Sequence, residues 1–272
     1  NSLAGHSCGL YLNGLSGLEL PVAQMISQRS GVAGIVMGGI ATVSEEVAIA
    51  LASMEANVLL AGLTELDDSA GHLGLLTKLA AQDSDLQLNG LTSLTEDMAT
   101  ILATHKTGTL SLQGISTLPA ELAIILTQHK GETLGLDGLT DISVETATAF
   151  GSYEKNLWLD GLLDISPEAA IALAGKQMQL TLNGIVELPD DVAKALARHQ
   201  GELLLDQILS ISDEAAASIA SHHGGLSMKN LENISNEAAE QLNNITDSLY
   251  LQLDYINPDS SAEILRNKVE AS

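Results

Sequence analysis

The sequence predicts an α/β solenoid, with a parallel sheet on one face and short helices on the other. Three observations predict it. First, the pattern L-x-L-x-G-L-x-x-L-[S/P]-x-E-x-A-x-x-L-A recurs from Leu10, Ile35, Val58, Leu86, Leu110, Leu134, Leu157, Leu180, Leu203, Leu226 and Leu249. Second, the last five steps between these starts are 23 residues each, too few for an independent core. Each unit must therefore bury its apolar side against its neighbours. Third, 45% of the chain is hydrophobic, yet it holds one Phe and one Trp. A core of Leu, Ile, Val and Ala suits a thin interior of many similar slots.

Each part of the repeat has a local reason. L-x-L has strand period, with both leucines on one face. The glycine after it (Gly14, Gly39, Gly62, Gly90, Gly114, Gly138, Gly161, Gly184) is expected to permit a turn that a Cβ would obstruct. It becomes Gln207, Asn230 and Leu253 in the last three repeats, so the array degenerates toward its end. Ser44, Thr95, Ser143, Ser166, Ser212 and Ser235 stand where a helix N-cap is needed. Pro167 suits a first helical position, and the acid that follows each cap suits the positive end of the helix dipole. A small Ala, as at Ala147, Ala170 and Ala193, lets the helix approach the strand layer. The helix then stops at His plus Gly, as in His129-Lys130-Gly131 and His199-Gln200-Gly201, where the histidine is expected to act as a cation near the last carbonyls. One repeat departs from the pattern: Gly71 replaces the helical Ala in the stretch with the longest spacing, 28 residues. An irregular turn is expected there.

The net charge is −24. Nucleic acid and anionic membranes would be repelled, because affinity for either comes from Lys and Arg neutralising phosphate. Cationic partners fit. Cys8 is the only cysteine, so no internal disulfide can form. No apolar run reaches the length needed to span a bilayer. No phosphate-binding loop or nucleophile–base arrangement stands out from the repeat, so no catalytic residue, cofactor or metal is assigned. Acids at the helix starts form one ligand per layer, a line and not a calcium cage.

With its strand, turn and helix in about 23 residues, the repeat resembles that of leucine-rich repeat proteins, over nearly the whole chain. It departs from their common consensus in that Asn13, Asn89 and Asn183 fall directly before the glycine. The spacing is similar to the Gly-Leu-type arrays of bacterial exported proteins. That resemblance implies a non-catalytic interaction scaffold and an extracellular or cell-surface location. It also leaves an alternative open, a structural protein stacking end to end into a filament or surface layer.

In such a solenoid the residues one and three after each repeat start line the sheet face. Tyr11, Asp137, Trp158, Asp160, Asn183, Asp206 and Tyr250 are the candidate binding residues there, for a protein or glycan. An aromatic beside acids suits such a contact. Serving the turn before glycine is the competing account of the Asn and Asp residues. By alignment with Ala195–Gln207, residues 1–9 form the end of a truncated repeat, residues 10–248 ten repeats, and residues 249–272 a degenerate last repeat or cap. The first layer would then be open to self-association.

Overall fold

The structure, a computed structural model, describes residues 9–28, 34–175 and 179–270. The expectation for the first repeat end falls almost wholly on residues 1–8, outside this range. Two compact units are formed. One holds residues up to Ser116 with Gln128–Gly135, and the other holds Thr117–Thr127 with the residues from Leu136 onward.

The strands are β1 (Leu10–Tyr11), β2 (Gly34–Val36), β3 (Asn57–Leu59), β4 (Leu86–Gln87), β5 (Thr109–Ser111), β6 (Thr133–Gly135), β7 (Asn156–Trp158), β8 (Gln179–Thr181), β9 (Glu202–Leu204), β10 (Leu226–Ser227) and β11 (Leu249–Tyr250). The helices are α1 (Leu20–Ser27), α2 (Glu45–Ala52), α3 (Ala70–Ala80), α4 (Glu96–Leu102), α5 (Ala120–Leu126), α6 (Val144–Phe150), α7 (Pro167–Leu173), α8 (Asp190–Leu196), α9 (Asp213–Ile219), α10 (Asn236–Asn243) and α11 (Asp259–Glu270). Strand and helix alternate, and neighbouring strands pair in parallel, so each unit is an α/β leucine-rich-repeat solenoid. In the first unit β1-β2-β3 form one ladder and β4-β5-β6 another. The break between β3 and β4 coincides with the irregular repeat, where α3 runs to 11 residues. In the second unit β7 to β11 pair in chain order. The repeat starts pair with one another: Leu157 with Leu180, Leu180 with Leu203, Leu203 with Leu226, and Leu226 with Leu249.

Between sheet and helices lies the core. From the second repeat onward the two apolar residues of each L-x-L are buried, and so are Ala147, Ala170 and Ala193 on the inner face of their helices. Gly71 has a steric reason: a Cβ there would sit 2.5 Å from the Glu45 carbonyl oxygen of the preceding helix. The same repeat carries a side-chain hydrogen bond between His72 Nδ1 and Asp67 Oδ1, at 2.6 Å. Hydrogen bonds from the Ser69 side chain and amide, and then from His72, hold the Asp67 carboxyl down at about 2.

All six expected caps form, each side-chain oxygen accepting an N–H three residues on. Ser212 does more than cap α9 through the Ala215 N–H at 2.9 Å; its hydroxyl also donates to the Asp190 carboxylate, which opens the helix one layer earlier. Ser212→Ala removes both bonds. A loss of about 1 to 2 kcal/mol is expected in urea denaturation. Ser221→Ala, whose hydroxyl bonds only a carbonyl in its own turn, serves as the control with a smaller effect.

One expectation about the turn glycines is corrected. Among the described residues only Gly108 and Gly224 have positive φ, so the turn itself does not demand glycine at the motif position. Close stacking does. A Cβ on Gly184 would lie 2.3 Å from the Asp160 carbonyl oxygen and 2.4 Å from that of Leu162, both in the preceding layer.

Candidate functional site

On the second unit's sheet face, the residues that follow the repeat starts are Trp158, Thr181, Leu204, Ser227 and Tyr250, one per strand and in register. Large and small side chains alternate. Thr181 and Ser227 are only 4% and 2% exposed, although they sit on the outer face of the sheet. Their neighbours are larger and cover them. What reaches solvent is a ridge of three apolar groups, Trp158, Leu204 and Tyr250, each two strands from the next. At the ordinary strand spacing they stand about 10 Å apart.

A hydrogen-bonded chain steadies the ridge. Trp158 Nε1 donates to Gln179 Oε1 at 3.2 Å, and Gln179 Nε2 donates to Glu202 Oε2 at 2.5 Å. The ring of Tyr250 lies beside Gly225, where an added Cβ would be 3.7 Å from Tyr250 Cε2.

Beside the ridge runs a polar rail. Asp137 Oδ1 accepts the Asp160 N–H at 3.2 Å, Asp160 Oδ1 accepts the Asn183 N–H at 3.0 Å, and Asn183 Oδ1 accepts the Asp206 N–H at 2.9 Å. Asp206 continues with the Lys229 N–H at 3.1 Å and pairs with Lys229 Nζ at 3.2 Å. The first unit repeats the device, with Asn13 accepting from the Gly38 N–H and Asn89 from that of Gln113. The side chain before the turn therefore bonds the backbone of the next layer. The second oxygens of Asp160 and Asp206 are engaged as well, by the Asn183 side-chain amide at 3.3 Å and by Lys229 Nζ, and the Asp and Asn side chains from Asp137 to Asp206 stay half-buried.

Six of the expected site residues are thus gathered on one face: Asp137, Trp158, Asp160, Asn183, Asp206 and Tyr250. Tyr11 belongs to the other unit, where it forms its own apolar row with Val36 and Leu59. Leu204 was not expected. The signal for it was the alternation of side-chain size down the column, which is visible only when the repeats are compared.

The histidines are corrected more sharply. His199 and His222 are buried, with rings stacked at a 6.0 Å centroid distance and 4° between planes. His105 and His129 do the same in the first unit at 5.6 Å and 14°. Burial, and then the neighbouring His222, lower the His199 pKa to about 4. Among the described residues no partner meets either of its ring nitrogens with good hydrogen-bond geometry, although the backbone of Glu202 and Gly175 lies close enough to oppose the shift. His222 is lowered for the same first reason. At neutral pH both rings are uncharged core groups, so they supply no charge to the helix ends. Parallel stacking also turns the two rings face to face, where their nitrogens do not converge on one ion. The glycine after such a histidine makes room for the ring: a Cβ on Gly131 would lie 2.7 Å from the His129 ring.

No described helix is long and apolar enough to cross a membrane. No known protein-family profile and no curated protein sequence matches the chain. Solved structures similar to it include the leucine-rich-repeat protein LegL7 of Legionella pneumophila, at 14% identity over 97% of this chain and 98% of that one, with a TM-score of 0.46. A chain in the structure of the Drosophila Toll–Spatzle complex is similar at 11% identity over 90% of this chain, with a TM-score of 0.47. This chain spans about two fifths of that one's length, 39%. The functional domain of InlJ from Listeria monocytogenes is similar at 13% identity over 89% of this chain and 56% of that one, with a TM-score of 0.38.

Proposed function

We propose that this leucine-rich-repeat chain is a non-catalytic binding scaffold that takes a protein or glycan partner on the sheet face of its second unit. The observation that carries the reading is the ridge of Trp158, Leu204 and Tyr250 standing over the buried Thr181 and Ser227. Apolar anchors held rigidly beside a polar rail have the layout of an interface core and rim. The rail is acidic and the chain carries −24, so a partner with basic groups beside its apolar contacts is favoured.

Trp158 is the only tryptophan, which makes the face its own reporter. Titrating the chain with glycans and with basic proteins should shift Trp158 emission for any ligand that lands on the ridge. The same ligand should bind at least about tenfold more weakly to Tyr250→Ala and Leu204→Ala, a cost typical of a central anchor. A ligand that binds without changing Trp158 emission, and equally well to both variants, would place the site elsewhere.

A further inference from the structure

A second exposed apolar row lies off the sheet face, six residues after the repeat starts of three successive layers. Leu163, Val186 and Leu209 are 67%, 52% and 47% exposed. The core does not need them. The preceding residue in each layer, Leu162, Ile185 or Ile208, is the buried one, and other layers place Thr140, Ser116 or Thr92 at the same position. Isolated exposed hydrophobics need no explanation, but three in adjacent layers make a stripe. Loops at this level are joined by backbone bonds, as between the Glu232 N–H and the Leu209 carbonyl at 3.0 Å. The stripe therefore advances by about 4.8 Å per layer, like the sheet.

The chain next to the stripe lines an open cleft of about 710 Å³. Its walls carry Glu187, Asp190, Asp191 and Glu214 against one ammonium, that of Lys194. Apolar stripe and acidic cleft together define the occupant. A second copy of this chain brings −24 charges of its own and would be repelled. Phosphate-bearing surfaces are repelled too. A protein segment with basic residues flanking apolar ones is attracted.

Spacing chooses its conformation. Three layers span about 10 Å. A helix places residues i, i+3 or i+4, and i+7 on one face over about 10.5 Å. Three same-face residues of a strand span about 13 Å and fall out of step. We infer that Leu163, Val186 and Leu209 dock a cationic amphipathic helix of a partner protein, with its basic flank over the Glu187–Glu214 cleft. This site is separate from the sheet-face ridge and does not depend on it.

The test uses three 18-residue peptides in calorimetric titration of the intact chain: a Leu/Lys amphipathic helix, the same composition scrambled to lose its apolar face, and a Leu/Glu counterpart. The amphipathic Leu/Lys peptide should bind, and each of the other two should bind at least tenfold more weakly. The triple variant Leu163→Ser, Val186→Ser, Leu209→Ser, which changes only exposed positions, should lose at least tenfold in affinity with its melting temperature kept. Glu187→Gln with Glu214→Gln should weaken binding and flatten its salt dependence. Trp158→Ala should bind as the parent does. Undiminished binding by the triple variant, or equal binding of the scrambled peptide, overturns the proposal by reducing it to bulk charge attraction. Loss in Trp158→Ala overturns it by moving the peptide to the sheet face. Stripe-dependent binding to neutral phosphatidylcholine vesicles overturns the assignment to a protein partner.

Discussion

Acidification from pH 7 to pH 4 is expected to remove about 3 kcal/mol of stability through His199 alone, and His199→Phe is expected to abolish that loss. In the unfolded chain the ring takes up its proton near its ordinary value of about 6.5. In the fold it does so only near 4, chiefly because burial penalises the charged form. Between these two values the unfolded chain binds a proton that the folded chain does not, so falling pH favours unfolding. The contribution is complete above about pH 6.5, declines through the window, and is gone once pH falls below about 4. A shift from 6.5 to about 4, at about 1.4 kcal/mol per pH unit, gives the magnitude. His222 is lowered in the same direction and steepens the loss. Carboxylates also titrate in acid and relieve the repulsion within a chain of −24, so the raw pH curve mixes opposing effects. The difference between parent and His199→Phe isolates the ring. Urea midpoints at pH 7.5, 6.5, 5.5 and 4.5 should converge for the two proteins as pH falls, and cross where the initial gap is small, if Phe is the poorer fit; they should diverge if it is the better one. Parallel curves would sink the argument, and His222→Phe gives the same test should the first variant fold badly.

The second large effect is expected from Gly184→Ala, at about 2 to 3 kcal/mol. Its new Cβ meets two backbone carbonyl oxygens at 2.3 and 2.4 Å, and neither belongs to a side chain that could swing away. Gln207 and Asn230 show that a layer with a Cβ at this position can be built. Asn230 still donates its N–H to the Asp206 carbonyl, at 3.2 Å. The cost is therefore that of a local displacement, short of collapse. Gly14→Ala is the paired control. It has the same place in the motif, but its Cβ would meet nothing within 4 Å among the described residues, so a change within about 0.5 kcal/mol is expected. If thermal or urea melts find the two substitutions equally costly, glycine is serving the turn after all and the stacking account fails.

The contrast between those two glycines marks what a single repeat could and could not disclose. Strand period, caps and the small helical residue are properties of one repeat, and Ser143, Pro167 and Ala170 could be placed from their immediate neighbours. Contacts between layers are properties of two repeats, and there the local readings were incomplete. Gly184 looked like a turn residue because its steric partners are 24 and 22 positions away. Asp160 and Asn183 looked like turn or ligand residues for the same reason, since the amide each one accepts belongs to the next layer. His199 looked like a helix-end cation because its charge depends on burial, which its neighbours in sequence do not reveal. On the sheet face, Trp158 and Tyr250 were picked out by residue type. Leu204 was passed over as one leucine among many, although its exposure depends on the small Thr181 and Ser227 on either side. The stripe of Leu163, Val186 and Leu209 was hidden in the same way within a leucine-rich pattern.

The rail of Asn and Asp side chains has one further property. In every link the oxygen belongs to the earlier repeat and the N–H to the later one. The couplings thus all point the same way, and the repeats of Asp160, Asn183 and Asp206 each bring one outgoing and one incoming connection of identical kind. Removing or duplicating a whole 23-residue block in the regular stretch therefore restores every link, as a translation restores a crystal lattice. Inserting a single residue restores none of them locally. Such an array can change its length by gene duplication or loss without inventing new chemistry at the join, whereas the ridge and the stripe, which depend on particular side chains in consecutive blocks, set where along the array such edits leave its surface intact.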